Sequence, residues 1–178
     1  MDLEFFETAV NLKKISRQGW IDKLSLMNPE SVADHSYSMA IMGMVISDLK
    51  HYNSEKILKM ILLHDLAESK IGDYTPGQIG KIKKCELENN AFFDIVKNLP
   101  ETIRLNYVEI WREYQEENSS ESKIVHQIDR LEMILQAKTY EKEGMFEEEQ
   151  IKPFLESARG DITDPILKEL FTKITGDK

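Results

Sequence analysis

Apolar side chains recur at spacings of three and four residues along most of this chain, and alternating strand patterns are absent. That periodicity is typical of amphipathic helices. It predicts one helix beginning after Ser31 and others over about residues 3–15, 54–68, 82–98, 101–117, 121–143, 147–158 and 165–174. A turn is predicted at residues 17–20, and a loop at residues 69–80, which hold three glycines and a proline. The pattern therefore predicts an all-α fold, a single-domain helical bundle of about seven or eight helices over residues 1–178.

The helix after Ser31 has the clearest start and the clearest apolar face. Ser31 followed by Asp34 is a capping pattern, in which a serine begins the helix and an acid three residues later returns a hydrogen bond. One stripe along the helix keeps a three–four spacing, which predicts that its members are buried: Val32, His35, Met39, Met42, Ile46 and Leu49.

Four charged or titratable side chains fall on predicted buried faces. His35 lies on the apolar stripe, His64 and Asp65 follow an apolar run, and Asp129 has apolar residues four positions to either side. Each also has an explanation that involves no metal. His35 would be a hydrogen-bonded core histidine, His64-Asp65 would be a pair that arises by chance, and Asp129 would form a surface ion pair with Arg130. A buried carboxylate is costly unless it is paired or coordinates a metal. Together, two imidazoles and two carboxylates on three inward faces predict a shared cation.

The helical geometry indicates where the ion would lie, and the types of donor atom indicate which metals would fit. Neighbouring residues on a helix point about 100° apart, so His64 and Asp65 could both reach an ion between them. A set of two histidines and two aspartates suits Mn, Fe, Co, Ni or Zn better than an ion that prefers oxygen alone, and it leaves Mg open. An ion held in this way keeps positions for water and substrate, which hydrolysis requires.

Composition limits the partners of such a site. The net charge of −9, from 32 acidic and 23 basic residues, argues against binding a nucleic acid polymer. No apolar run is long enough to span a membrane, and the first residues lack the layout of a secretory signal. A single cysteine, Cys85, excludes an internal disulfide framework and favours a reducing, cytoplasmic setting.

Three segments carry a resemblance to a known family: PESVADHSYSMAIMGMVI, LLHDLAESKIGDYTP and QIDRLEMILQAKTYE. The order of His35, His64-Asp65 and Asp129 is the H…HD…D pattern of the HD superfamily of metal-dependent phosphohydrolases, and these segments resemble its 5′-deoxynucleotidase branch. The resemblance covers nearly the whole chain. It implies a homodimeric helical enzyme that removes phosphate from nucleoside 5′-monophosphates, with one divalent cation on those four residues.

The resemblance also implies roles for residues around the predicted metal ligands. Glu68 and Asp73 match two catalytic acids, and Arg17 matches an arginine that binds the substrate phosphate. Glu68, Asp73 and the backbone carbonyl of Tyr74 match the positions of a second cation in some relatives.

Two other functions stay open at the level of sequence. One is a different HD activity, either nucleoside triphosphate triphosphohydrolysis or phosphodiester hydrolysis. Such substrates call for extra basic groups, and the chain shows no cluster of them. The other is a non-catalytic helical scaffold that has kept the fold, against which the presence of Glu68 and Asp73 beside all four ligand positions argues.

Overall fold

The computed structural model describes residues 3–75 and 77–176. Within them the chain forms ten α-helices, a 3-10 helix at Leu12–Lys14 and no β-strand, which confirms the all-α prediction. In chain order the helices are α1 (Leu3–Asn11), α2 (Gln18–Leu24), α3 (Val32–Lys50), α4 (Ser54–His64), α5 (Glu68–Ile71), α6 (Lys81–Val96), α7 (Glu101–Glu116), α8 (Ser120–Lys142), α9 (Glu148–Arg159) and α10 (Pro165–Thr175). Among these described residues, no helix is both long enough and apolar enough to cross a membrane.

Helix α3 begins as predicted. The Ser31 hydroxyl accepts the Asp34 backbone N–H at 3.1 Å, and the Asp34 carboxylate accepts the Ser31 N–H at 2.9 Å, so both halves of the capping box are present. The predicted buried stripe is correct at its start, where His35 and Met39 are fully buried, but wrong at its end, where Leu49 is 60% exposed. A strict heptad spacing drifts by about 20° per heptad on a straight helix, which turns the last position toward solvent.

The prediction missed α2 and treated the end of α4 incorrectly. Of residues 17–20, predicted as a turn, the last three form the start of α2. Trp20 in this helix is 2% exposed, and its ring centroid lies 4.8 Å from that of Phe154. Helix α4 ends at His64 instead of continuing to residue 68, and α5 covers part of the predicted loop. These two differences account for ten helices where about eight were expected.

Helices α3, α4 and α8 pack against one another at the centre of the fold. Gly43 allows α3 and α4 to approach closely, because a Cβ atom built there would lie 2.4 Å from Ile61 Cδ1 and 3.0 Å from Ile57 Cγ2. Both isoleucines are fully buried and have little room to move. The close approach matters because all of the predicted metal ligands come from these three helices and from Asp65, the residue that follows α4.

We expect Gly43→Ala to destabilise the fold. Overpacking a dense core costs typically about 1–3 kcal/mol, which exceeds the roughly 0.5–1 kcal/mol that alanine gains over glycine in a helix. Urea unfolding measures the difference in the free energy of unfolding. Gly160→Ala is the matched control, since nothing lies within 4 Å of a Cβ there and its φ is −76°. Equal stability of the two variants would contradict the packing argument.

Candidate metal centre

The four predicted metal ligands lie together in the structure. His35 comes from α3, His64 is the last residue of α4, Asp65 follows it, and Asp129 comes from the middle of α8. One donor atom each from His35, His64 and Asp129 lie within 4.8 Å of one another. Asp65 Oδ2 lies 3.1 Å from His64 Nε2 and 4.0 Å from His35 Nε2. Four donors from three separated segments thus surround one small space.

Asp65 reaches this space because α4 ends just before it. Its backbone has φ −110° and ψ 11°, outside the helical region, so the chain turns away immediately after His64. The predicted geometry, with both residues on a continuing helix, is therefore wrong in detail. The two side chains nevertheless converge on the same point.

Both imidazoles are held in one orientation and leave the second ring nitrogen free. His35 Nδ1 lies 2.6 Å from Glu132 Oε2, and His64 Nδ1 lies 2.6 Å from the Ile61 carbonyl oxygen. In the neutral tautomer that donates from Nδ1, the Nε2 lone pair points outward. Both Nε2 atoms are buried and without a hydrogen-bond partner. Buried polar atoms rarely stay unsatisfied, and a divalent cation is the partner that fits two lone pairs beside two carboxylates.

Glu132 is a residue of this centre that the sequence reasoning missed. It is 2% exposed, and its carboxylate receives the His35 Nδ1–H. A carboxylate behind a ligating histidine fixes the ring and increases its basicity. A signal existed, because Glu132 follows Asp129 by three residues and so lies on the same face of α8.

The electrostatics of the cluster keep its aspartates ionised. Burial would raise the pKa of Asp129, but the close contact with His35 at 3.3 Å, together with the charge of Arg17, holds that pKa far below its usual range. Asp65 follows the same pattern, with His64 as the main group that lowers its pKa. Burial and Arg17 lower the pKa of His35, whereas Asp129 and Glu132 raise it, to about 10. The cluster therefore holds positive charge strongly, as a proton or as a metal ion.

Arg17 lies at the edge of this centre. Its Nη1 is 3.4 Å from Asp65 Oδ2 and its Nη2 is 3.9 Å from Asp129 Oδ1. Burial lowers the pKa of Arg17, but the surrounding carboxylates, led by Asp65, raise it above the usual value, so the guanidinium stays charged.

The predicted catalytic acids lie beside the centre and share a cation. Glu68 is 1% exposed, and burial followed by the charges of Asp65 and Asp73 raises the pKa of its carboxyl well above the usual value. Asp73 Oδ2 accepts the Gln18 backbone N–H at 2.8 Å, which ties the loop after α5 to the first turn of α2. Lys84 from α6 lies 3.5 Å from Glu68 and 3.9 Å from Asp73.

One cavity of about 420 Å³ joins the two groups of acids. That volume is within the range of small-molecule sites. Arg17, Lys81, Lys84 and Arg130 contribute positive charge to its wall, and aromatic or apolar side chains line another part: Trp20, Tyr74, Tyr114, Met133 and Phe154. A phosphate beside the acids and an organic group against the aromatic side chains would both find matching surfaces here.

Comparisons with known proteins identify the family of this chain. The model of the HD domain family matches residues 9–170. The 5′-deoxynucleotidase HDDC2 of Dictyostelium discoideum is 39% identical, over 99% of this chain and 97% of its own length. The 5′-deoxynucleotidase HDDC2 of Homo sapiens is 36% identical, over 99% of this chain and 85% of its own.

Solved structures show the same fold. A conserved hypothetical protein of Pyrococcus furiosus superposes with a TM-score of 0.81 at 32% identity, covering 98% of this chain and 99% of that one. A protein of Pyrococcus horikoshii also gives a TM-score of 0.81, at 30% identity, covering 99% of this chain and all of that one. The predicted family is confirmed: this chain belongs to the HD domain family.

Proposed function

We propose that this protein is a metal-dependent phosphohydrolase that removes phosphate from deoxyribonucleoside 5′-monophosphates. Its similarity to 5′-deoxynucleotidases over nearly the full chain supports this, and membership in the HD family implies a divalent metal. The observation that carries the proposal is the pair of unpartnered Nε2 atoms of His35 and His64 beside two ionised aspartates at a cavity.

His35, His64, Asp65 and Asp129 would hold one cation, and their mixture of nitrogen and oxygen donors suits Mn, Fe, Co, Ni or Zn, with Mg left open. When bound, such a metal lowers the pKa of a coordinated water from 15.7 toward about 7 and polarises a phosphoryl oxygen. Glu132 keeps the ring of His35 oriented for this role.

Arg17 is the proposed phosphate ligand. Its guanidinium offers a planar fork of donors that matches two phosphate oxygens. The distances of 3.4 and 3.9 Å to Asp65 and Asp129 are longer than the roughly 2.7–2.9 Å of strong charge-assisted bonds. These donors are therefore not fully committed to the aspartates, and they line the cavity where the phosphate would lie.

Glu68 and Asp73 are the proposed acid–base pair. Glu68 Oε2 is buried, faces no hydrogen-bond partner and belongs to the cavity wall, so it can meet a water molecule or the leaving 5′-oxygen. Asp73 uses one carboxylate oxygen for the Gln18 N–H and keeps the other for the same purpose. Either group could orient the attacking water while the other protonates the leaving oxygen.

Several finer points belong to the same proposal. Residues 1–178 would form a single HD domain, of which the family match covers residues 9–170. The protein would act as a homodimer in the cytoplasm. Nucleotides, and neither nucleic acid polymers nor membranes, would be its partners.

The test is phosphate release from deoxy- and ribonucleoside monophosphates with Mn, Co, Mg and Zn in turn, after dialysis against a chelator. We expect metal-dependent release of inorganic phosphate from dAMP, and its loss in Asp129→Ala. Tripolyphosphate or pyrophosphate from dATP would instead identify a triphosphate hydrolase. Inactivity with every metal and nucleotide would favour the scaffold.

Replacing Glu68 by Gln should lower kcat by about 10²–10⁴-fold, the usual contribution of a positioned acid or base. The substitution keeps the size of the side chain, so metal content measured by mass spectrometry should not change. Glu86→Gln, on the exposed side of α6, is the matched control and should keep full activity. An unchanged kcat in Glu68→Gln would remove its catalytic role.

Replacing Glu132 by Gln should weaken metal affinity by about 10–100-fold, because the carboxylate that orients His35 is lost. Titration against a metal-binding dye measures the affinity without any substrate. Glu143→Gln, at the exposed end of α8, provides the comparison. The same affinity in both variants would show that Glu132 does not support the centre.

A further inference from the structure

Lys84 places a positive charge inside a cage of oxygen atoms next to the metal centre. Its Nζ donates to the Tyr74 carbonyl oxygen at 2.8 Å. Carboxylate oxygens of Glu88, Glu68 and Asp73 lie 3.4, 3.5 and 3.9 Å from the same nitrogen. The oxygens come from α5, the loop after it and α6, so one ammonium group joins three segments of the chain.

We propose that Lys84 is a built-in cation that takes the place of a second metal ion, so that the protein binds one divalent ion instead of two. The family resemblance implies a second cation at Glu68, Asp73 and the Tyr74 carbonyl. In this chain an ammonium group lies among those same oxygens. The expected effect on turnover rests on the proposed function, whereas the expected number of bound ions does not.

The chemistry of the cage explains why an ammonium and a metal ion would exclude each other. Carboxylates with a backbone carbonyl form an all-oxygen set, which hard divalent ions such as Mg²⁺ and Mn²⁺ prefer. The Lys84 ammonium donates a hydrogen bond to the Tyr74 carbonyl oxygen and lies within ion-pair distance of the carboxylates. A divalent ion could bind them only after Lys84 withdrew, and a nearby positive charge would repel it.

Burial separates this arrangement from an ordinary surface ion pair. The Glu68, Asp73 and Glu88 side chains are 2%, 10% and 15% exposed, and that of Lys84 is 28% exposed. Without Lys84, three poorly solvated carboxylates would face one another beside the ionised Asp65. Their repulsion would displace Glu68 and Asp73 from the cavity wall. Lys84 is therefore a positioning residue for the proposed acid–base pair.

Lys81 offers a matched control one turn earlier on α6. It also lines the cavity, but it is exposed and no contact ties it to the caged oxygens. Its substitution by Met removes one positive charge from the cavity wall, as Lys84→Met does. Only the substitution of Lys84 should alter the number of metal ions that the protein binds.

The experiment counts Mn²⁺ per chain by mass spectrometry after equilibrium dialysis over a range of free Mn²⁺ concentrations. We expect the wild type and Lys81→Met to saturate at one ion per chain. Lys84→Met should gain a second, weaker site. Two ions bound to the wild type would overturn the proposal, as would a single ion bound to folded Lys84→Met. If Lys84→Met does not fold, the wild-type count decides alone.

Turnover supplies a second measurement. Lys84→Met should lose at least about tenfold in kcat at low Mn²⁺ and recover part of it at millimolar Mn²⁺ or Mg²⁺, as the second ion replaces the missing charge. A purely structural role would give a loss that metal does not restore, and this would overturn the proposal. If no nucleotide is hydrolysed but the ion counts follow expectation, the proposed function fails while the role of Lys84 stands.

Discussion

The structure depends on burying charged side chains where its three central helices pack together. Removing an ion from water costs of the order of several kcal/mol unless close partners compensate. Here the compensation is mutual: His35 faces Asp129 at 3.3 Å and Glu132 at 2.6 Å, and His64 faces Asp65 at 3.1 Å. Because α3, α4 and α8 also contribute much of the hydrophobic core, the packing of these helices fixes the positions of the proposed metal ligands.

The cleft divides its acids between two kinds of surroundings. Asp65 and Asp129 lie with two imidazoles and Arg17, where nitrogen donors favour a transition metal. Glu68 and Asp73 lie with Glu88 and the Tyr74 carbonyl oxygen around the Lys84 ammonium group. Positive charge thus comes from Arg17 beside Asp65 and Asp129, and from Lys84 beside Glu68 and Asp73. The acids of one cavity are therefore not equivalent, and under the proposed function some would hold a metal while others would remain available for proton transfer.

Much of the fold, and the grouping of the four proposed ligands, could be predicted because each left a local signature, such as the capping box or a polar residue on an apolar stripe. The parts that were missed depend on distant contacts. Helix α2 has seven residues, and a helix so short is stabilised by packing, here of Trp20 against Phe154, more than 130 positions away. Predicting that Glu132 supports the site would have required knowing which residue of α8 faces His35. Predicting the contacts of Lys84 would have required the distance between α5 and α6, which the periodicity of the sequence does not encode.

The residues outside the central helices are positioned by ties among themselves. Arg17 immediately precedes α2, and the next residue, Gln18, donates its N–H to Asp73. Further along, Thr75 donates its hydroxyl to Asp22 of α2 at 2.8 Å. The segment that carries Arg17, the proposed phosphate ligand, and the loop that carries Asp73 are therefore tied together. A displacement of α2 would therefore move Arg17 and Asp73 together, so their spacing depends on these two hydrogen bonds as well as on the packing of Trp20 in the core.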